Sequence, residues 1–178
     1  MSRADLLERV ISYLAGAGVG DRSLRQIAAG AGTSHRMLIY HFGTRDALLV
    51  EVVRAVEERQ RVALAAMKSG TPRDLALEFW ERLADPALAP YERLFFELYG
   101  AALAGQESVA PVLDGIVTSW LQDESMFAGL PLAKARMALA FTRGALLDLL
   151  ATGDRAGVDA AVHAFIDLVW PLSPPEKP

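Results

Sequence analysis

The sequence predicts an all-α protein of about nine helices, on three observations. Apolar residues recur at intervals of three and four through almost the whole chain instead of alternating. Hydroxyl side chains (Ser23, Ser34, Thr44 and Thr71) stand where helices should start, and Gly or Pro stands where they should stop. No segment carries a convincing strand pattern, and the chain has no internal repeat.

Taken in order, Leu6, Leu7, Val10, Ile11 and Leu14 line one face of a first helix, which Gly16, Gly18 and Gly20 end. Ser23 and Gln26 form an S-x-x-Q capping box, in which each side chain satisfies the other residue's backbone N–H. A second helix therefore begins near Leu24 and buries Leu24, Ile27 and Ala28. The run Gly30, Ala31, Gly32 lets the chain turn closely against the first helix. Ser34 caps a third helix, too short to be stable alone. Thr44 caps a long fourth helix, running to about Ser69, with Leu48, Leu49, Val52, Val53 and Val56 on its inner side. Thr71 followed by Pro72 restarts the chain. Further helices are expected over about 72–84, 89–104, 109–128, 132–152 and 155–170, with breaks at Pro86, Pro90, Pro131 and Gly153. The expected organisation is a head over residues 1–50, a helical body over 51–172 and a flexible tail over 173–178, SPPEKP.

With 178 residues and a hydrophobic share of 52%, the chain can bury a substantial core. The net charge of −4 is unevenly spread: six arginines against four acids leave residues 1–50 at +2, so the remainder carries −6. Cysteine is absent, which excludes disulfides, thiolate zinc sites and cysteine nucleophiles and fits a reducing interior. Asp5 and Glu8 interrupt what would have to be the apolar core of an export signal. Lys134, Arg136, Arg143 and Asp148 interrupt the most membrane-like segment, Leu132 to Ala151, which reads as a helix buried in protein. A cytoplasmic, non-membrane protein is expected. An enzyme is not: the three histidines (35, 41 and 163) form no His-x-x-x-His or Glu-x-x-His pair, no Gly-rich phosphate loop is present, and no cofactor or metal is implied.

From Ser23 to Leu49 the order of capped helix, small-residue turn and second short helix is the one a helix-turn-helix uses to seat a helix in a DNA groove. Leu38 and Phe42, four residues apart, should pack inward and leave His35, Arg36, Ile39 and Tyr40 outside. Arg36 can bind guanine O6 and N7 bidentately, His35 can bond a base edge or phosphate, and Ile39 or Met37 can pack on a thymine methyl. Tyr40 and His41 suit phosphate oxygens. Arg45 adds a charge to the positive end of the fourth helix, a suitable anion site.

The segment LRQIAAGAGTSHRMLIYHFGTRDALL resembles the N-terminal DNA-binding domain of the tetracycline-repressor (TetR) family of bacterial transcriptional regulators. The recurring elements fall on Ile27-Ala28, Ala31-Gly32, Ser34, Leu38, His41-Phe42, Arg45 and Leu48-Leu49, and the likeness covers roughly residues 5 to 52. It departs at Ile39, where the family places a tyrosine; here Tyr40 comes one residue later, which suggests apolar readout at Ile39. The resemblance implies base contacts from Arg25, His35, Arg36 and Ile39, and backbone contacts from Ser34, Tyr40, His41 and Arg45.

For the body the resemblance implies only a helical layout. Phe79, Trp80, Phe95, Phe96, Tyr99, Trp120, Phe127 and Phe141 are enough aromatic surface to line a ligand cavity, with Glu97, Tyr99, Thr118 and Arg143 as polar partners; ordinary core packing is the alternative. Ala135, Ala138, Ala145, Val158, Ala161, Val162 and Phe165 give the last two helices small and branched faces, either an intrachain core or the homodimer interface that the family forms there. A dimer would hold two recognition helices about 34–36 Å apart to read a pseudo-palindromic operator. The resemblance implies a repressor released from double-stranded DNA by a small apolar or amphipathic effector. The alternative is a DNA-binding regulator whose C-terminal half binds a partner or dimerises constitutively, with no small-molecule ligand.

Overall fold

The computed structural model describes residues 2–67, 70–122 and 130–171, and among these all regular structure is helical. Two compact units share the chain. The first combines Met1–Gln60 with Ala87–Ile116, and the second combines Arg61–Pro86 with Val117–Pro178.

In the first unit, α1 (Arg3–Ala17) starts at a capping box between Ser2 and Asp5, and Gly18 ends it by returning its N–H to the Leu14 carbonyl at 2.8 Å. The expected box between Ser23 and Gln26 starts α2 (Leu24–Gly30), and the Ser34 hydroxyl, accepting from the Met37 N–H at 3.2 Å, starts α3 (His35–Phe42). Helix α4 (Arg45–Ala66) begins with the Ala47 N–H donating to the Thr44 hydroxyl; the expected end near Ser69 lies outside the described residues. The turn after α2 requires its glycines. A Cβ on Gly30 would run into the Tyr13 ring, and Gly32 sits at φ +63 with its carbonyl accepting from the Arg9 guanidinium at 2.8 Å. Leu6, Val10, Ile11 and Leu14 of α1 are fully buried and share the unit's core with Ile27, Leu38, Leu48 and Val52. Helix α6 (Ala89–Leu103) packs on α1, and the 3₁₀ segment Glu107–Leu113 packs on α6.

The second unit contains the end of α4, α5 (Pro72–Leu83), α7 (Thr118–Leu121), α8 (Leu132–Thr152) and α9 (Arg155–Val169). Thr71 and Pro72 start α5 as the sequence suggested. Leu64, Phe79, Leu83, Trp120, Ala135, Ala138 and Leu139 form its apolar cluster. A polar network ties α5 to α9: the Trp80 indole N–H donates to Asp159 at 2.7 Å, while Arg155 donates to Asp159 and to Glu81, both at 2.6 Å, and to the Ala84 carbonyl at 2.8 Å.

Two expectations are corrected. No single helix spans 109–128: the chain makes the 3₁₀ segment, turns at Gly115 (φ +73) and resumes only at Thr118. Pro111, which has no N–H to donate, lies inside that stretch and breaks the α-helical ladder. The face read as a dimer interface is mostly intrachain core, because Ala135, Ala138, Val158 and Val162 are buried within the second unit and Phe165 stacks on Phe141 at 3.9 Å. Ala145 is half-buried, and of this set only Ala161 is exposed. Both helices carry a second apolar face that is open: Met137, Ala140, Gly144 and Leu147 on α8, and Gly157, Ala161, Ala164 and Leu168 on α9. The expected tail over 173–178 lies outside the described residues.

Candidate nucleic-acid interface

The candidate recognition surface is built on α3. Its spacing turns Leu38 and Phe42 into the core and presents Arg36, Ile39 and Tyr40 together, with Ile39 47% and Tyr40 80% exposed. An isoleucine and a tyrosine this open on a helix of eight residues gain nothing from the core. His35 and His41 are half-buried at the flanks, and the His41 ring meets the Tyr40 ring edge-on at 4.9 Å. Ser34 caps α3 with its oxygen and keeps a hydroxyl proton to donate.

The arginines of residues 1–50 sort themselves. Arg3 pairs with Glu51 at 2.9 Å and covers the Phe42 ring at 4.9 Å, with its Nε donating to the His41 carbonyl at 3.5 Å. Arg9 binds the Gly32 carbonyl, and Arg22 binds the carbonyls of Gly18 and Val19. Arg45 donates to the carbonyls of Arg22 (2.6 Å) and Gly20 (2.8 Å) and lies 3.6 Å from Asp46, so the cation expected to meet phosphate is held by the loop between α1 and α2. Arg25 and Arg36 are left exposed, and neither makes a hydrogen bond or ion pair among the described residues. Four guanidiniums therefore brace the head, and two face water.

The residues expected to line one ligand pocket fall into different units. Phe95, Phe96, Glu97 and Tyr99 lie on α6 in the first; Phe79, Trp80, Thr118, Trp120, Phe141 and Arg143 lie in the second; Phe127 lies outside the described residues. Phe95 stacks on Tyr99 at 5.6 Å as core packing, and Glu97 accepts the N–H groups of Val19 (3.0 Å) and Gly20 (2.9 Å). Glu97 is thus a backbone anchor for the α1–α2 loop. In the second unit Phe79, Trp80 and Phe141 meet Phe165 and Trp170 around a cavity of about 20 Å³, room for one water. Sequence reading missed the bracing roles of Arg3 and Glu97. The S-x-x-D box at Ser2, which places Arg3 in the first turn, was a legible signal for the former; the latter is a contact between residues about eighty positions apart and had none.

A helix-turn-helix with an open arginine-bearing face is an arrangement that can seat a helix in a DNA groove. Residues 12–52, the stretch that carries the helix-turn-helix, match the family model described as bacterial regulatory proteins, tetR family. No curated protein matches it significantly. Among solved structures, a transcriptional regulator from Rhodococcus sp. is similar at 21% identity with a TM-score of 0.75, over 95% of this chain and 96% of that one. Salmonella enterica GusR is similar at 18% identity and 0.69, over 94% of each chain. The multidrug binding protein EbrR, complexed with imidazole, is similar at 22% identity and 0.70, over 96% of this chain and 90% of that one. These likenesses concern the fold. No helix among the described residues is long and apolar enough to cross a membrane.

Proposed function

We propose that the chain is a homodimeric repressor of the cytoplasm that reads a pseudo-palindromic operator through α3 and is released by a small apolar or amphipathic ligand. One observation carries the DNA part: of six arginines in the head, the two without a partner among the described residues are Arg25 and Arg36, on the two helices of the helix-turn-helix. A buried head surface would leave these charges uncompensated; a DNA groove supplies guanine acceptors and phosphates. Base contacts go to Arg25, His35, Arg36 and Ile39, and backbone contacts to Ser34, Tyr40 and His41. Arg45 acts at one remove, by holding the loop that seats α2. The homodimer would use the open faces of α8 and α9, where Leu168 is 79% exposed and small residues admit close helix approach. Selection of bound duplexes from a random pool tests the reading: a two-fold symmetric site is expected with the wild type, and Arg36→Ala should change base preference within each half-site. A pool without symmetry would overturn the dimeric reader.

The ligand part draws support from EbrR, a fold relative solved with imidazole. A second reading, a constitutive dimer or partner-binding module without a ligand, is favoured by the nearly closed aromatic cavity of the second unit. A thermal-shift screen of apolar and amphipathic metabolites separates the two, since a ligand that binds the folded state raises its midpoint.

A further inference from the structure

The first unit contains a larger cavity, of about 210 Å³, between the α1–α2 loop, the first turns of α4, the C-terminal half of α6 and the 3₁₀ segment. At the roughly 30 Å³ a water occupies in the liquid, it has room for about seven, the size of a six-membered ring with a short substituent. Its floor is apolar, formed by the buried Leu49, Leu98 and Val109. The rim carries charge. The Arg45 guanidinium there is already met by two carbonyls and by Asp46. Glu97 accepts two backbone N–H groups where a carboxylate has about four acceptor sites, and Asp21 makes no hydrogen bond or ion pair among the described residues. The uncompensated charge at the rim is negative.

We infer that this cavity is a binding site for a compact organic cation, with its ammonium or amidinium at Glu97 and Asp21 and its apolar body on Leu49 and Leu98. The inference deepens the ligand-released reading above and rests on it for one consequence. A cation at Glu97 draws on the carboxylate that anchors the Val19 and Gly20 N–H groups, so occupancy and the seating of α2 on DNA become linked.

Titration of benzylamine, benzyl alcohol and benzoate into ¹⁵N-labelled protein tests the site. The amide signals of Val19 and Gly20 should move with benzylamine, less with benzyl alcohol and least with benzoate. Ala101→Phe, which fills the cavity from α6, should weaken the benzylamine response about tenfold. Asp21→Asn should narrow the gap between amine and alcohol without touching the loop anchor that Glu97→Gln would loosen. Equal responses to all three probes, no movement of these two amides, or a response that survives Ala101→Phe would overturn the inference. Operator affinity measured in parallel keeps the two readings apart. Benzylamine that binds without weakening DNA binding leaves the site standing and removes release through it. A silent cavity in a protein that binds DNA removes the site alone.

Discussion

Arg36 and Arg45 have the same side chain and opposite circumstances. Arg45 meets two carbonyls and a carboxylate of its own head, whereas Arg36 is exposed and unpartnered among the described residues, so the two should respond differently to truncation. Arg36→Ala should lose about 1–3 kcal/mol of discrimination at one base pair of each half-site and leave the folded state unchanged, as read by operator titration at fixed salt and by urea denaturation. Arg45→Ala should lower stability and weaken binding to all sequences alike. Arg3, which grips the His41 carbonyl and covers Phe42, belongs with Arg45. Its exposed ion pair with Glu51 contributes at most about 1 kcal/mol, so Arg3→Ala should show mainly as weaker operator binding without altered base preference.

At the scale of elements, α3 has eight residues and cannot hold its own shape in water; Leu38 and the Ser34 cap hold it. Leu38→Ala should destabilise the fold by about 2–5 kcal/mol, since that side chain is fully buried, and Ser34→Ala by about 1 kcal/mol, both measured by urea denaturation. Joining α5 to α9 is an ionic arrangement with a pH signature. Burial works against the charge on Asp159, but hydrogen bonds from Arg155 and Trp80 outweigh it and hold its carboxyl below the ordinary carboxylate value. A carboxylate lowered on folding stabilises fully above its unfolded pKa, about 3.9, and that contribution is lost as pH falls through the folded value. Asp159→Asn should therefore flatten the fall in thermal midpoint on acidification in that range, and wild-type protein should retain it.

For the molecule as a whole, the proposed reading of a two-fold operator needs two heads, and the open faces of α8 and α9 are where a second copy would sit. Leu147→Glu places a charge on the open α8 face, and sedimentation should then show monomer, with operator affinity falling steeply because two half-site contacts no longer act together. The fold should survive, since Leu147 contributes little to the protomer's own core. Linkage adds a test that needs no knowledge of the promoter: whatever factor a ligand removes from operator affinity, operator DNA must remove from that ligand's affinity. A few tens-fold in each direction corresponds to about 2 kcal/mol of coupling.

What the sequence determined by itself was local. The caps at Ser23, Ser34 and Thr71 and the inward pair Leu38 and Phe42 depend on residues within a few positions of one another, and all of them stand in the structure. Together they made the helix-turn-helix and its outward face legible. The tertiary structure decided which of two apolar faces on α8 and α9 meets the protomer's own core, because helical periodicity is the same for an intrachain contact and an intersubunit one. It also decided that α6 packs with the head and that Glu97 anchors a loop nearly eighty residues away. Which arginines are consumed in bracing and which stay free depends on carbonyls and carboxylates brought together only by folding, and no spacing along the chain records that choice.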